Sequence, residues 1–251
     1  MKCIPIQTRK IIPPKDDFLN ALFASKKFKP KTGDVIAISS KLLAIEEGAC
    51  VPAGTREEKE KLAKKLAERY VELPYGRGRR AVFTVTNGVL IRTAGIDESN
   101  GNGYFILWPK DPKKTAQTLK RVIEKKYKVT LAGVIITDSY SVPLRRGALG
   151  FALAWAGIHP TKDYRGKSDV FGRKLKVTLA NIVDALACAA VLVMGEAGEA
   201  TPVVIIRDLK KIQKEHKVKN ELDTFPVKME DDIFSTFLLS QKWKKGGKKS
   251  L

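Results

Sequence analysis

Two strand-length runs, Ala81–Thr86 and Val89–Thr93, are joined only by Asn87-Gly88. Asn-Gly takes the two positive φ angles of a type I′ turn at little cost, so this stretch must fold as an antiparallel hairpin. That unit excludes a sheet whose strands are all joined through helices. Helical segments are nonetheless present. Arg56 to Tyr70 is strongly amphipathic, and Pro112 to Lys126 opens with a proline suited to a first helical turn. A chain with both kinds of connection reads as α+β, with mixed and antiparallel sheets and packed helices, not as a doubly wound parallel sheet.

The remaining elements follow from local signals. Lys2 to Thr8 reads as an opening strand, then Pro13-Pro14 breaks the chain before a helix from about Asp16, capped by Asp16 or Asp17. Val35 to Ile38 is an apolar run of strand length ending in Ser39-Ser40-Lys41. Tyr104 to Trp108 is a further strand, and Ala132 to Thr137 is a buried strand that delivers Asp138. Thr178 to Met194 reads as a long apolar helix, Pro202 to Arg207 as a strand, and Ile233 to Leu239 as a last short helix. No repeat or low-complexity linker divides the chain, so residues 1–251 form one domain, with two interlocked lobes as a variant. Residues 242–251 carry five lysines and read as a basic, flexible tail.

Charge narrows the partners without choosing one. Lys and Arg number 47 against 27 Asp and Glu, a formal charge of +20, which suits nucleic acid, an anionic membrane or a polyanionic substrate. Cys3, Cys50 and Cys188 have no metal-like spacing, and their odd number argues against a disulfide framework. No apolar segment approaches the roughly 20 residues of a bilayer span, and the start lacks a signal-peptide core, so a cytoplasmic location is expected.

Against this basic background, two acidic clusters follow apolar runs: Asp97-Glu98-Ser99-Asn100 and Asp138-Ser139. Carboxylates and hydroxyls at strand ends are hard oxygen ligands for a divalent cation, and arginines nearby can neutralise phosphate. The first cluster is equally consistent with a plain tight turn. Arg145-Arg146-Gly147 forms a basic loop in which guanidinium forks and a glycine could approach an anion. Asp163-Tyr164-Arg165-Gly166 and Asp169 to Arg173 make a second dense patch. Gly195-Glu196-Ala197-Gly198-Glu199 could be a helix stop or supply a third carboxylate from Glu196. Gly76-Arg77-Gly78-Arg79-Arg80-Ala81 nominally fits a dinucleotide fingerprint but precedes a strand, so it is rejected. No phosphate loop of the full Gly-x-x-x-x-Gly-Lys-Ser/Thr pattern is present. Neither His159 nor His216 has a nucleophile at motif spacing, and Cys188 reads as a small core residue.

Taken in order, these blocks resemble the coenzyme F420-0:γ-glutamyl ligase family, which includes folate-directed relatives. The resemblance runs through Gly33-Asp34-Val35, Ser40, Glu47-Gly48, Ala94 to Asn100, Ile136 to Ser139, Arg145 to Gly147, Gly157-Ile158, Asp163, Gly166, Asp169, Phe171 to Arg173 and Met194 to Glu196. It implies that family's fold and an amide-forming glutamate ligase acting through an acyl phosphate. It further implies metal ligands at Asp97, Asp138, Ser139 and Glu196. Nucleotide contacts are implied at Ser40, Lys41, Asn100, Gly195 and Gly198, and catalytic roles at Arg145, Arg146, Asp163 and Arg173. Two Mg²⁺ or Mn²⁺ ions, GTP or ATP, L-glutamate, the acceptor coenzyme F420-0 and a homodimer complete the expectation, with K⁺ as a further candidate ion.

Two departures lie near the implied nucleotide contacts. Ala44 to Ala49 reads Ala-Ile-Glu-Glu-Gly-Ala where the family usually has Ser-Lys-x-Glu-Gly-Arg, and Gln7 to Lys10 replaces a Gly-Leu-Pro turn. A folate or other pterin acceptor is therefore carried as an alternative. So are a metal-dependent nucleotide hydrolase and a catalytically inactive, nucleic-acid-binding relative.

Overall fold

The apolar run at residues 35–38 is the centre of the fold, because both of its faces are buried. In the computed structural model, which describes residues 1–76, 78–209 and 225–248, the first half of the chain runs as follows. β1 (Lys2–Ile6), α1 (Phe18–Ala24), β2 (Val35–Ser39), α2 (Ser40–Glu47), β3 (Cys50–Pro52), α3 (Arg56–Leu66), β4 (Arg69–Tyr75), β5 (Arg79–Thr86), β6 (Val89–Arg92) and β7 (Tyr104–Ile106) come first. α4 (Pro112–Tyr127), β8 (Gly133–Ser141), β9 (Ala148–Ala156), β10 (Thr161–Asp163), β11 (Leu179–Asn181), α5 (Ile182–Met194), β12 (Val203–Arg207), α6 (Ser235–Leu239) and β13 (Lys244–Lys245) follow.

β1, β12, β2, β8 and β9 form the main sheet in that order, antiparallel except for the β2–β8 pair. Ile36, Ile38, Val134 and Ile136 pack under α1 and α4 on one face. Val35, Ala37 and Ile135 pack under Val183, Leu186, Ala187 and Ala190 of α5 on the other. This double cover explains why β2 reads as continuous rather than alternating apolar sequence. A second, antiparallel sheet has the order β13-β4-β5-β6. The chain is thus a mixed α+β fold.

The Asn87-Gly88 hairpin forms as expected, with φ of 51° and 70° and Phe83 to Thr86 paired with Arg92 to Val89. Gly76 and Gly78, both at positive φ, turn β4 directly into β5, so this glycine pair serves a hairpin. Asp17 caps α1 by accepting the Asn20 amide at 2.8 Å, while Asp16 holds Arg9 at 2.6 and 2.7 Å.

Several expectations are corrected. The Arg56–Tyr70 helix stops at Leu66, because the aromatic and β-branched run Tyr70-Val71 is recruited as β4 against β5. Thr178–Met194 is not all helix. Its first part pairs with β10 as β11, and α5 begins after Asn181, whose side chain accepts the Asp184 amide at 3.1 Å. Asp138 is not at a strand end, since β8 continues to Ser141. The apolar run stops at Thr137 because the residues beyond it are only partly buried, although the Asp138 carboxyl itself is turned into the protein, and not because pairing lapses. Residues 244–248 are not a free end: β13 joins β4, and the Gly246, Gly247 and Lys248 amides bond Glu68, Lys64 and Ala67 carbonyls at 2.8, 3.1 and 3.0 Å. Residues 249–251 lie outside the described residues.

A single irregularity in the main sheet bears on the site. Ile136 pairs with Ala154 and Thr137 with Ala152, so Leu153 is an extra residue in β9, and Asp138 comes to face Phe151.

Candidate functional site

The parallel register of β2 and β8 sets Ser39 level with Thr137. The residues that follow each, Lys41 in the first turn of α2 and Asp138-Ser139 in β8, therefore open side by side. They line a cavity of about 600 Å³. Asn100 and the loop Gly195 to Glu199 line it too, as does the segment Thr8 to Pro13. Ile11, Leu42, Ile45 and Ile106 give the cavity an apolar wall.

Asp97 is brought to this region by an unusual turn. Thr93, Ala94 and Gly95 all have positive φ, and for Ala94 that is sterically costly. The turn is held by Thr84, which is fully buried: its hydroxyl accepts the Ala94 amide at 3.0 Å and donates to the Ile91 carbonyl at 2.9 Å. Asp97 then exchanges two backbone hydrogen bonds with Ile106, at 3.0 and 2.8 Å.

Its carboxylate accepts the Ser99 amide and hydroxyl at 2.7 and 2.8 Å and pairs with the Lys41 ammonium at 2.8 Å. Lys41 also donates to the Ser99 hydroxyl at 2.8 Å. Burial pushes the Asp97 carboxyl up, but Lys41 and Ser99 more than reverse this and leave it below the usual range.

Asp138 is tuned the other way. Burial raises its carboxyl to about 6 against the opposing hydrogen bonds from the Trp108 indole and the Ser139 amide, and the negative charge of Asp97 adds to the rise. The two carboxyls are thus shifted in opposite directions, Asp97 down beside the Lys41 ammonium and Asp138 up by its buried setting.

The expected site residues divide into two groups. Lys41, Asn100, Asp138, Ser139, Gly195, Glu196 and Gly198 surround the one cavity, with Asp97 joined to it through Lys41. The Asn100 amide bonds the Ala197 carbonyl at 3.0 Å, tying the Asp97 turn to the glycine loop. Ser40 is buried, and its neighbour Ser39 takes its place in the cavity wall. Arg145, Arg146, Asp163 and Arg173 are exposed and outside this cavity. Asp163 is engaged by Arg165 at 2.6 Å, and Asp169 accepts the Phe171 and Arg173 amides, each at 2.9 Å.

His159 is a buried structural residue, 2.7 Å from the Thr161 carbonyl, and His216 lies outside the described residues. Cys3, Cys50 and Cys188 are free thiols. Trp108 and Thr84 had no distinguishing local signal, since both lie in ordinary strand-like sequence.

The donor chemistry fits a hard divalent cation of the Mg²⁺ type. Among the described residues no three of His, Cys, Asp and Glu gather closely enough to form a closed cage. Two carboxylates and a hydroxyl beside an open cavity are what such an ion takes when substrate phosphate and water complete its shell.

Residues 6–208 match the protein family described as F420-0:Gamma-glutamyl ligase. The chain is 37% identical over 221 residues to the coenzyme F420:L-glutamate ligase of Methanopyrus kandleri, a match covering 82% of this chain and 86% of that protein. It is 37% identical over 188 residues to the enzyme of that name from Methanocaldococcus jannaschii, covering 70% and 75%. The Halorubrum lacusprofundi protein of the same name is 32% identical over 199 residues, covering 71% and 76%.

Proposed function

The chain belongs to the F420-0:gamma-glutamyl ligase family, and from that premise we propose that it joins L-glutamate to coenzyme F420-0 at the expense of GTP or ATP. The observation that carries the reading is that Asp138 and Lys41 line one cavity, with Asp97 joined to it through the Lys41 ion pair, all within the matched region.

The acceptor carboxylate attacks the γ-phosphorus, the bond to the bridging oxygen breaks, and the nucleoside diphosphate leaves. Glutamate's amine then attacks the acyl carbon of the acyl phosphate, inorganic phosphate leaves, and the amine sheds a proton as the amide forms. Asp97, Asp138 and Ser139, with Glu196 from the facing loop, would hold Mg²⁺ or Mn²⁺, which supplies charge neutralisation to the phosphates. Lys41 gives the phosphates a second positive contact once its hold on Asp97 is relaxed. Gly195 and Gly198 allow backbone to approach the nucleotide, and Asn100 keeps that loop in place. The wall of Ile11, Leu42, Ile45 and Ile106 suits a flat aromatic ring, with water excluded from its face.

Glutamate-dependent phosphate release with Mg²⁺ and GTP or ATP, and a product heavier by one glutamyl unit, tests the reaction. Coenzyme F420-0 and tetrahydrofolate are supplied in separate reactions. Product from tetrahydrofolate alone would move the acceptor to the folates. Phosphate release indifferent to glutamate would make the protein a hydrolase.

Metal loading should depend on pH in a defined direction. Asp138 titrates near 6 in the folded chain, above its unfolded value, so without metal its contribution to stability is lost as pH rises through that window. A cation must displace this proton. The rise in melting temperature caused by Mn²⁺ is therefore expected to be larger at pH 7.5 than at pH 5. An increment independent of pH counts against Asp138 as a ligand.

We also infer a homodimer in the cytoplasm. Leu144, Val170, Phe171 and Val177 are 102%, 92%, 93% and 84% exposed, and they occupy the same two connections as Arg145, Arg146 and Arg173. A second copy covering these side chains would carry the arginines toward its partner's cavity. Phe171→Glu is expected to yield monomers in analytical ultracentrifugation and to cut turnover by at least about tenfold. A wild-type monomer at assay concentration would refute the arrangement.

A further inference from the structure

Asp138 has a neighbour that the reaction scheme does not use. The Trp108 indole N–H donates to its carboxylate, yet Trp108 is 8% exposed and is not among the cavity walls. It reaches the carboxylate from the core side.

Two contacts besides the Asp138 bond fix the ring. Any Cβ at Gly95 would collide with the indole, so the left-handed glycine opens the slot the ring occupies. Phe151, brought opposite Asp138 by the extra β9 residue, lies 6.2 Å away between ring centroids at 59°.

The backbone on either side of Trp108 is also clamped. The Leu107 amide bonds the Ala49 carbonyl at 3.0 Å, and the Lys110 amide bonds the Glu47 carboxylate at 2.9 Å. The other Glu47 oxygen accepts the Thr115 hydroxyl at 2.8 Å. Glu47 thus acts as a brace for this segment, some distance along the chain from any ligand role.

From this geometry we infer that Trp108 is a positioning residue: its indole N–H orients the Asp138 carboxylate for a divalent cation. The inference rests on Asp138 being a metal ligand. A carboxylate has lone pairs enough to accept the indole and still face a metal, and donors behind a ligand fix the direction of those that remain.

The test uses Mn²⁺ alone as the probe, titrated calorimetrically into the full chain. Trp108→Phe keeps an aromatic ring in the slot and removes the N–H. It is expected to weaken Mn²⁺ binding by about tenfold, the lower end for a partner behind a ligand. Asp138→Asn is expected to weaken it further. A Trp155→Phe/Trp243→Phe variant leaves Trp108 as the sole indole, and its emission should shift on saturation with Mg²⁺, whether or not Trp108→Phe folds well.

If Asp138→Asn loses Mn²⁺ while Trp108→Phe binds within twofold of wild type, Trp108 only fills the core and the inference is wrong. A sole-Trp108 emission unmoved by Mg²⁺ overturns it as well. If Asp138→Asn itself retains wild-type affinity, the ligand reading has failed first.

Discussion

Asp138→Asn is expected to lower kcat/KM by about 10²–10³-fold while leaving the melting temperature at pH 7.5 unchanged or higher. The two halves of this result have one cause. Burial and the charge of Asp97 both disfavour the Asp138 carboxylate, so the native chain holds an ionised group at neutral pH in surroundings that favour the neutral form. Asparagine keeps the shape and its Oδ1 can still accept the Trp108 indole, giving up the bond from the Ser139 amide, but it carries no charge to desolvate and none to offer a cation. Steady-state phosphate release and differential scanning calorimetry on the same preparation measure both quantities. A variant that loses activity by unfolding would show a lower melting temperature, and one within threefold of wild-type kcat/KM would remove Asp138 from the mechanism.

The largest expected change in stability comes from a residue of the resemblance that performs no chemistry. Asp34 is 1% exposed and accepts Arg207 at 2.9 and 2.7 Å and the Lys31 amide at 2.7 Å. Arg207 in turn bonds the Lys29 carbonyl at 3.0 Å, so the pair fastens the turn before β2 to the end of β12. Asp34→Ala strands a guanidinium against the core and frees the Lys31 amide. Removing one partner of a buried pair costs about 3–5 kcal/mol. The lower end, about 3 kcal/mol, applies because the Arg207 side chain keeps some solvent contact. For a chain of this size that lowers the melting temperature by about 6–12 °C. Adding Arg207→Leu should recover part of the loss, since two apolar partners leave no unpaired charge. A shift of under 2 °C for Asp34→Ala would mean that the Arg207 head is solvated and the pair contributes little.

Legibility followed the range of the forces involved. The Asn87-Gly88 hairpin, the proline-led α4 and the buried β2 are set by turn stereochemistry, capping and local burial, and they were visible in a few residues each. The length of α3 was not, because Tyr70-Val71 acts as strand only when β5 is available to pair with it. β11 was hidden in the same way, its partner β10 being about 18 residues earlier. At the site, Asp97, Asp138 and the glycine loop stood out as short polar clusters beside apolar runs. The Lys41–Asp97 pair, 2.8 Å apart in space but 56 positions apart in sequence, depends on a sheet register that no local pattern encodes. Thr84 and Trp108 were missed for a related reason: Thr84 acts through hydroxyl bonds to the Ile91 carbonyl and the Ala94 amide, Trp108 through its indole bond to Asp138, and neither residue type announces that role.

The extra residue in β9 bears on how this chain can change by descent. Loop insertions lengthen a connection and leave the sheet as it was. Loss of the single codon for Leu153 would instead join Ala152 directly to Ala154, removing the bulge while leaving Phe151 paired with Asp138. A bulge bends its strand and increases the local twist, so the stretch from Phe151 back to Ala148 would be re-aimed with its pairing intact. Point mutation can explore the acceptor cavity one residue at a time; a one-codon deletion here would re-aim a whole strand segment at once.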